Sequence, residues 1–134
     1  MEFIAKIENL SVILSWIAKQ LGSVEKKVFH QIELASEEVL VNIIHHAYQG
    51  KAKRLDVEVH FTSRTQVEVV FKDFGPAFDP LSAKEPNVSA PLEERLLGGL
   101  GIHLVKQLMD EVNYKRVGDQ NILTLVKRMV IRTS

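Results

Sequence analysis

The chain has 134 residues, 46% of them hydrophobic and 25% charged, and its 17 Lys/Arg balance its 17 Asp/Glu. That is one ordinary globular domain, and a neutral chain without a strong basic run is a poor direct partner for nucleic acid. No apolar run approaches the ~18–20 residues of a membrane span, the alternating N-terminus is unlike a signal peptide, and the absence of cysteine removes disulfide and thiol chemistry; no membrane partner and a cytoplasmic location are expected.

Residues 2–7 read as a weak first strand. Leu10, Ile13, Leu14, Ile17 and Leu21 recur at helical spacing, with Asn9 or Ser11 as cap. Gly22 stops that helix and Ser23 can cap the next. The second helix starts near Val24 and stops at Gly50. It contains Glu37-Glu-Val-Leu-Val-Asn-Ile-Ile-His-His-Ala-Tyr48. At about 100° per residue, Asn42, His45, Gln49 and Gln31 fall within about 40° of Glu38. Most of the remaining circumference is apolar, which predicts a buried helix. A carboxylate and a carboxamide there need partners, either an internal hydrogen bond or a ligand.

Residues 55–61 alternate as a half-buried strand does. A polar turn and a second strand over 66–72 complete a hairpin. Asp73-Phe-Gly75 follows directly, and by itself reads as a turn. Periodicity then fails. Pro80, Pro86 and Pro91 lie in this stretch, and a connection of ~20 residues is unusual unless it is a lid, here placed at 80–97. Gly98-Gly-Leu-Gly101 opens a third helix over 98–112. Such a start offers free N–H groups to phosphate, although glycines also serve plain packing. Residues 114–117 and 122–131 are strands around a turn. The order predicts one layered α/β domain over 1–134. Its sheet is mixed and mostly antiparallel, with helices on one face.

His45 and His46 are neighbours on a helix and point about 100° apart, which does not suit a shared metal. No Rossmann or Walker pattern is present.

Three motifs occur in one order: Glu38-x-x-x-Asn42 on a helix, Asp73-x-Gly75 after a strand, and Gly98-Gly99-Leu100-Gly101 at a helix start beyond the proline-bearing stretch. The set resembles the GHKL (Bergerat) nucleotide-binding fold. Within it, the chain looks most like the anti-sigma factors that are also serine protein kinases, of the RsbW and SpoIIAB type. Phe71-Lys-Asp73-Phe-Gly75-Pro-Ala-Phe78-Asp79 and the Met109-Asp110 pair extend the likeness nearly end to end.

The resemblance implies ATP and Mg²⁺ as cofactors. Asn42 would hold the Mg²⁺, and Glu38 would be the general base. Asp73 would accept from the adenine amino group, and Gly75 would make room for the ring. Gly99 and Gly101 would let backbone N–H groups meet the phosphates. His46, Phe78, Gly98 and Leu100 complete the implied contacts. Arg95 is the γ-phosphate candidate, at a spacing to the glycines that departs from the family's. Members usually enter the last strand with a Gly-Thr pair whose threonine helps read adenine. Here Asn121-Ile122 stands in its place, which predicts weaker adenine reading or another group in that role.

The implied partners are a sigma factor and a STAS-type anti-anti-sigma factor, the latter phosphorylated on serine. Homodimerisation is implied as well. The alternative is a non-catalytic nucleotide-binding module that binds protein partners. The catalytic half of a histidine kinase is less expected, because no dimerising helical hairpin precedes the domain.

Overall fold

The computed structural model describes residues 1–82 and 100–130. Most of the predicted lid, with Arg95, Gly98 and Gly99, lies outside the described residues. The elements are β1 (Glu2–Ala5), α1 (Leu10–Leu21), α2 (Lys26–Asn42), β2 (Lys53–Ser63), β3 (Gln66–Asp73), α3 (Leu100–Leu108), β4 (Glu111–Val117) and β5 (Gln120–Arg128). Short 3₁₀ turns occupy Ile7–Asn9 and Pro80–Ser82. The sheet order is β1-β2-β3-β5-β4. Each of its pairings is antiparallel, and the described residues contain no parallel pair.

Strand alternation decides which way the sheet faces. The register pairs Leu55 with Asp73, Val57 with Phe71 and Val69 with Leu125. These side chains therefore share one face. Leu55, Val57, Val67, Val69, Phe71, Leu123 and Leu125 join Ile13, Ile17, Ile32, Leu40 and Val105 of the helices in one buried cluster. The other face carries charge. Lys72 Nζ lies 2.6 Å from Glu58, and His60 lies 2.7 Å from the same carboxyl. Hydrogen bonds from Lys72 and then His60 hold the Glu58 pKa below its usual value. Half-exposed pairs of this kind contribute little to stability.

Helix boundaries follow local chemistry. Asn9 flanks α1, but its side chain donates to the Ile4 carbonyl at 2.9 Å and does not cap the helix. Gly22 ends α1 with φ of 62°, a conformation that favours glycine. Ser23 is not the cap of α2; Glu25 holds that position, with no side-chain cap bond.

Helix α2 is amphipathic, not buried all round. Val28, Ile32, Ala35, Ser36, Val39 and Leu40 are buried, whereas Leu34 is 40% exposed and Glu37 and Glu38 are half-buried. The predicted helix continues beyond Asn42 as a single π turn over Ile43–Ala47. Such wider turns are frequent at functional sites.

Helix α3 stops at Leu108, earlier than its periodicity suggests, and Val112 belongs to β4. Val112 and Tyr114 point to the core side of the sheet opposite Leu125 and Leu123, and two strand partners outweigh one more helical turn. Lys127 Nζ donates to the Leu108 carbonyl at 2.6 Å. A cation there satisfies an orphan acceptor at the negative end of α3.

The π turn seats Tyr48, which is 2% exposed. Its hydroxyl donates to the Arg54 carbonyl and accepts from the Phe74 N–H at 2.7 Å. Burial raises the phenol pKa above its usual value, the Phe74 N–H opposes this, and Asp73 and Asp56 add to the rise. Tyr48→Phe would leave both backbone groups unpaired. It should cost about 1–3 kcal/mol, read as a lower urea midpoint at unchanged slope. An unchanged midpoint would show that the bridge contributes nothing.

Candidate functional site

A cavity of about 380 Å³ opens between α2, α3 and the ends of the central strands. That volume lies in the range of small-ligand sites. Val39, Asn42, Ile43 and His46 line it from α2 and the π turn, at the i, i+3, i+4 and i+7 spacing of one helix face. Ile102 comes from α3, and Tyr114 and Leu123 from the sheet. Pro76, Ala77, Phe78 and Pro80 form the loop side. Asp73 and Asn121 sit at the strand ends, 7% and 5% exposed.

Sheet register makes the polar wall. Asp73 pairs directly with Asn121 across β3 and β5. One carboxylate oxygen of Asp73, Oδ1, accepts from the Gly75 N–H and from Asn121 Nδ2, both at 2.9 Å. No described residue bonds its Oδ2. Asn121 Nδ2 also donates to the Pro76 carbonyl at 2.9 Å, and Asn121 Oδ1 accepts from the Tyr114 hydroxyl at 2.6 Å. The Phe78 N–H reaches the same oxygen at 3.4 Å. Arg116 Nη1 donates to the Gly75 carbonyl at 2.8 Å and fixes the loop from its other side.

Gly75 is required by the helix. A Cβ there would lie 3.0 Å from Ala47 Cβ, 3.1 Å from the Ala47 carbonyl oxygen and 3.1 Å from Asp73 Oδ1. The missing side chain thus lets the π turn and the loop close on each other, and the room it leaves is filled by Ala47.

Of the residues singled out in the sequence, Asn42, His46, Asp73 and Phe78 line one cavity. Asn42 is half-buried and His46 exposed, and neither has a hydrogen-bond partner among the described residues. Phe78 is 63% exposed at the rim. Glu38 is half-buried one turn before Asn42, without an ion pair among the described residues, and it is not a lining residue. His45 is exposed and also does not line the cavity. Leu100 and Gly101 open α3. Sequence reasoning missed Tyr48, Tyr114 and Arg116: Tyr48 meets Phe74 and Arg116 meets Gly75 through the fold, and Tyr114 meets Asn121 across the β4–β5 hairpin. It met Asn121 only as a departure from a pattern.

An antiparallel sheet with helices on one face and a mostly apolar cavity, polar at the strand ends, defines a layered α/β domain. Residues 3–127 match the family model described as the histidine kinase-like ATPase domain, and the chain belongs to that family. Among curated relatives, it is 33% identical over 121 residues to the serine-protein kinase RsbW of Bacillus pumilus, covering 84% of this chain and 74% of that protein. It is 32% identical over 95 residues to the serine/threonine-protein kinase BtrW of Bordetella bronchiseptica, covering 70% of this chain and 66% of that protein. Among solved structures, a mycobacterial sensor histidine kinase, MprB, superposes with a TM-score of 0.56 at 17% identity, over 100% of this chain and 99% of that one. That likeness concerns the fold alone.

Gly75→Ala tests the close approach of turn and loop. The Ala47 carbonyl cannot rotate away as a side chain would, so the substitution should cost about 1–3 kcal/mol. Thermal unfolding reads the loss, and an unchanged midpoint would contradict it.

Proposed function

We propose that this chain is an anti-sigma factor and an ATP- and Mg²⁺-dependent serine protein kinase. It would sequester a sigma factor and phosphorylate a serine of a STAS-type anti-anti-sigma factor. The observation that carries the reading is the cavity wall itself. Asp73 holds one oxygen in a donor frame and leaves the other open, in a chain of the histidine kinase-like ATPase family. An open carboxylate oxygen at the end of an apolar slot suits the amino group of adenine. Relatives bearing the name serine-protein kinase support the chemistry.

Phosphoryl transfer asks a protein mainly for positioning and charge stabilisation. Among the described residues no group of three or more acidic, histidine or cysteine side chains could hold a metal. Mg²⁺ is commonly held by one or two protein ligands plus phosphates, and the unpartnered Asn42 carboxamide fits that limited role. When bound, the ion would neutralise phosphate charge. Glu38 would take the proton of the attacking serine hydroxyl as its oxygen bonds to the γ-phosphorus and the bond to the β-phosphate oxygen breaks. Gly98, Gly99, Leu100 and Gly101 would bring backbone N–H groups to the phosphates, with Arg95 on the γ-phosphate. His46 and Phe78 would flank the nucleotide.

Work through protein partners in the cytoplasm is part of the same reading. No helix among the described residues is long and apolar enough to cross a membrane, and the chain carries no net charge. Self-association into a homodimer belongs to the same reading.

The position of Glu38 favours a second reading, a nucleotide-binding module without transfer, because Glu38 does not line the cavity. Glu38→Gln separates the two. It keeps size and most hydrogen bonding but cannot take a proton, and loss of a positioned base costs ~10²–10⁴ in rate. With labelled ATP, Mg²⁺ and a STAS-type partner, the wild type should transfer phosphate to serine. The variant should do so roughly a hundredfold more slowly or worse while keeping its ATP-induced rise in melting midpoint. Equal rates would remove Glu38 from the base role. No transfer by the wild type would leave the binding-module reading.

A further inference from the structure

The loop that follows β3 has little to order it from within. Gly75 lacks the side chain that narrows backbone choice, and Pro76 has no N–H to offer a partner. Its order comes from across the sheet. Register sets Asp73, Asn121 and Arg116 in one row over β3, β5 and β4. The row bonds two successive carbonyls of the loop. Arg116 Nη1 donates to that of Gly75 at 2.8 Å, and Asn121 Nδ2 to that of Pro76 at 2.9 Å. Arg116 Nε also donates to the Gly118 carbonyl at 3.0 Å, in the turn of its own hairpin. The guanidinium is planar and rigid, so this second bond aims the first. Arg116 is exposed on an edge strand, does not line the cavity and has no ion pair among the described residues. The loop it holds supplies Pro76, Ala77 and Phe78 to the cavity wall.

We infer that Arg116 is a positioning residue for the nucleotide, acting on it only through the Gly75 carbonyl, by fixing the loop wall of the cavity. The inference rests on the reading that the cavity takes ATP, and it adds a residue of the β4 edge to what sets the affinity. Removing an exposed side chain costs the fold little. Releasing the Gly75 carbonyl lets the loop sample other conformations, and a ligand that needs one of them binds more weakly in proportion to the fraction left competent. Attraction of the cation for phosphate would be a different cause, one that salt screens.

The test compares the full chain with its Arg116→Ala variant in two measurements. Amide exchange without nucleotide reads the anchor itself. The Gly75 and Phe78 N–H groups should exchange about fivefold or more faster in the variant, while the Phe74 N–H, held by Tyr48, keeps its rate. Calorimetric titration with Mg²⁺-ATP reads the consequence. Affinity should fall about fivefold or more, by the same factor at ~0.1 M and ~1 M salt. The nucleotide-free melting midpoint should stay within about 2 °C of the wild type's. Unchanged exchange at Gly75 and Phe78 would overturn the anchor. Faster exchange with equal ATP affinity would overturn the positioning role, and a lower midpoint at equal affinity would show a merely structural one in its place. A loss of affinity that vanishes at ~1 M salt would assign the effect to charge and overturn the inference as well. If the wild type does not bind ATP, the nucleotide reading fails and the positioning role with it, while the exchange rates still decide the anchor.

Discussion

The site depends on one buried carboxylate kept in place by two donors. Asp73 ends β3 on the core side of the sheet, where an unpaired charge would be expensive. The Gly75 N–H and the Asn121 amide both bond its Oδ1. Each donor is itself constrained. Gly75 is held by Arg116 and by contact with the π turn, and Asn121 by Tyr114 and the Pro76 carbonyl. The carboxylate is therefore a consequence of antiparallel register, which sets residues 73 and 121 opposite each other.

Helix α2 is tied to this frame at its C-terminal end. Tyr48 bonds the backbone of both Arg54, at the start of β2, and Phe74, beside Asp73. The π turn before it carries Ala47 against Gly75. The helix wall, with Asn42 and His46, and the strand-end wall, with Asp73 and Asn121, are thus held at a fixed separation by packed and hydrogen-bonded groups. A mostly apolar slot with few polar atoms gives those atoms large weight in recognition.

Period-two alternation made β2 legible in the sequence, and the polar turns beside β3 and β5 did so for those two strands; helical spacing did the same for α1 and the body of α2. The order of the three motifs carried the family, which the family model matching 3–127 bears out. Where reasoning fell short, two local patterns competed or the partner was distant. Met109 and Val112 continue the spacing of α3, yet Val112 finds β5 across the sheet. Asn121-Ile122 stood out as a departure from a Gly-Thr pair. That Asn121 bonds Asp73, 48 residues away, depends on strand register, which no local pattern carries. The hydroxyls of Tyr48 and Tyr114 look like ordinary aromatic core positions in one dimension. Glu38 and Asn42 share a stripe on an ideal wheel, but the cavity takes Asn42 with Val39, Ile43 and His46 and leaves Glu38 out.

The central claim is that Asp73 presents one open acceptor to an adenine nucleotide. Asp73→Asn addresses it most directly. The amide oxygen can keep the bonds from Gly75 and Asn121, while an NH₂ replaces the oxygen that no described residue bonds. Calorimetric titration of Mg²⁺-ATP into wild type and variant should show binding to the wild type and about a tenfold or greater loss in the variant, with the nucleotide-free melting midpoint unchanged. Equal affinities, or no binding of ATP to the wild type, would contradict the account.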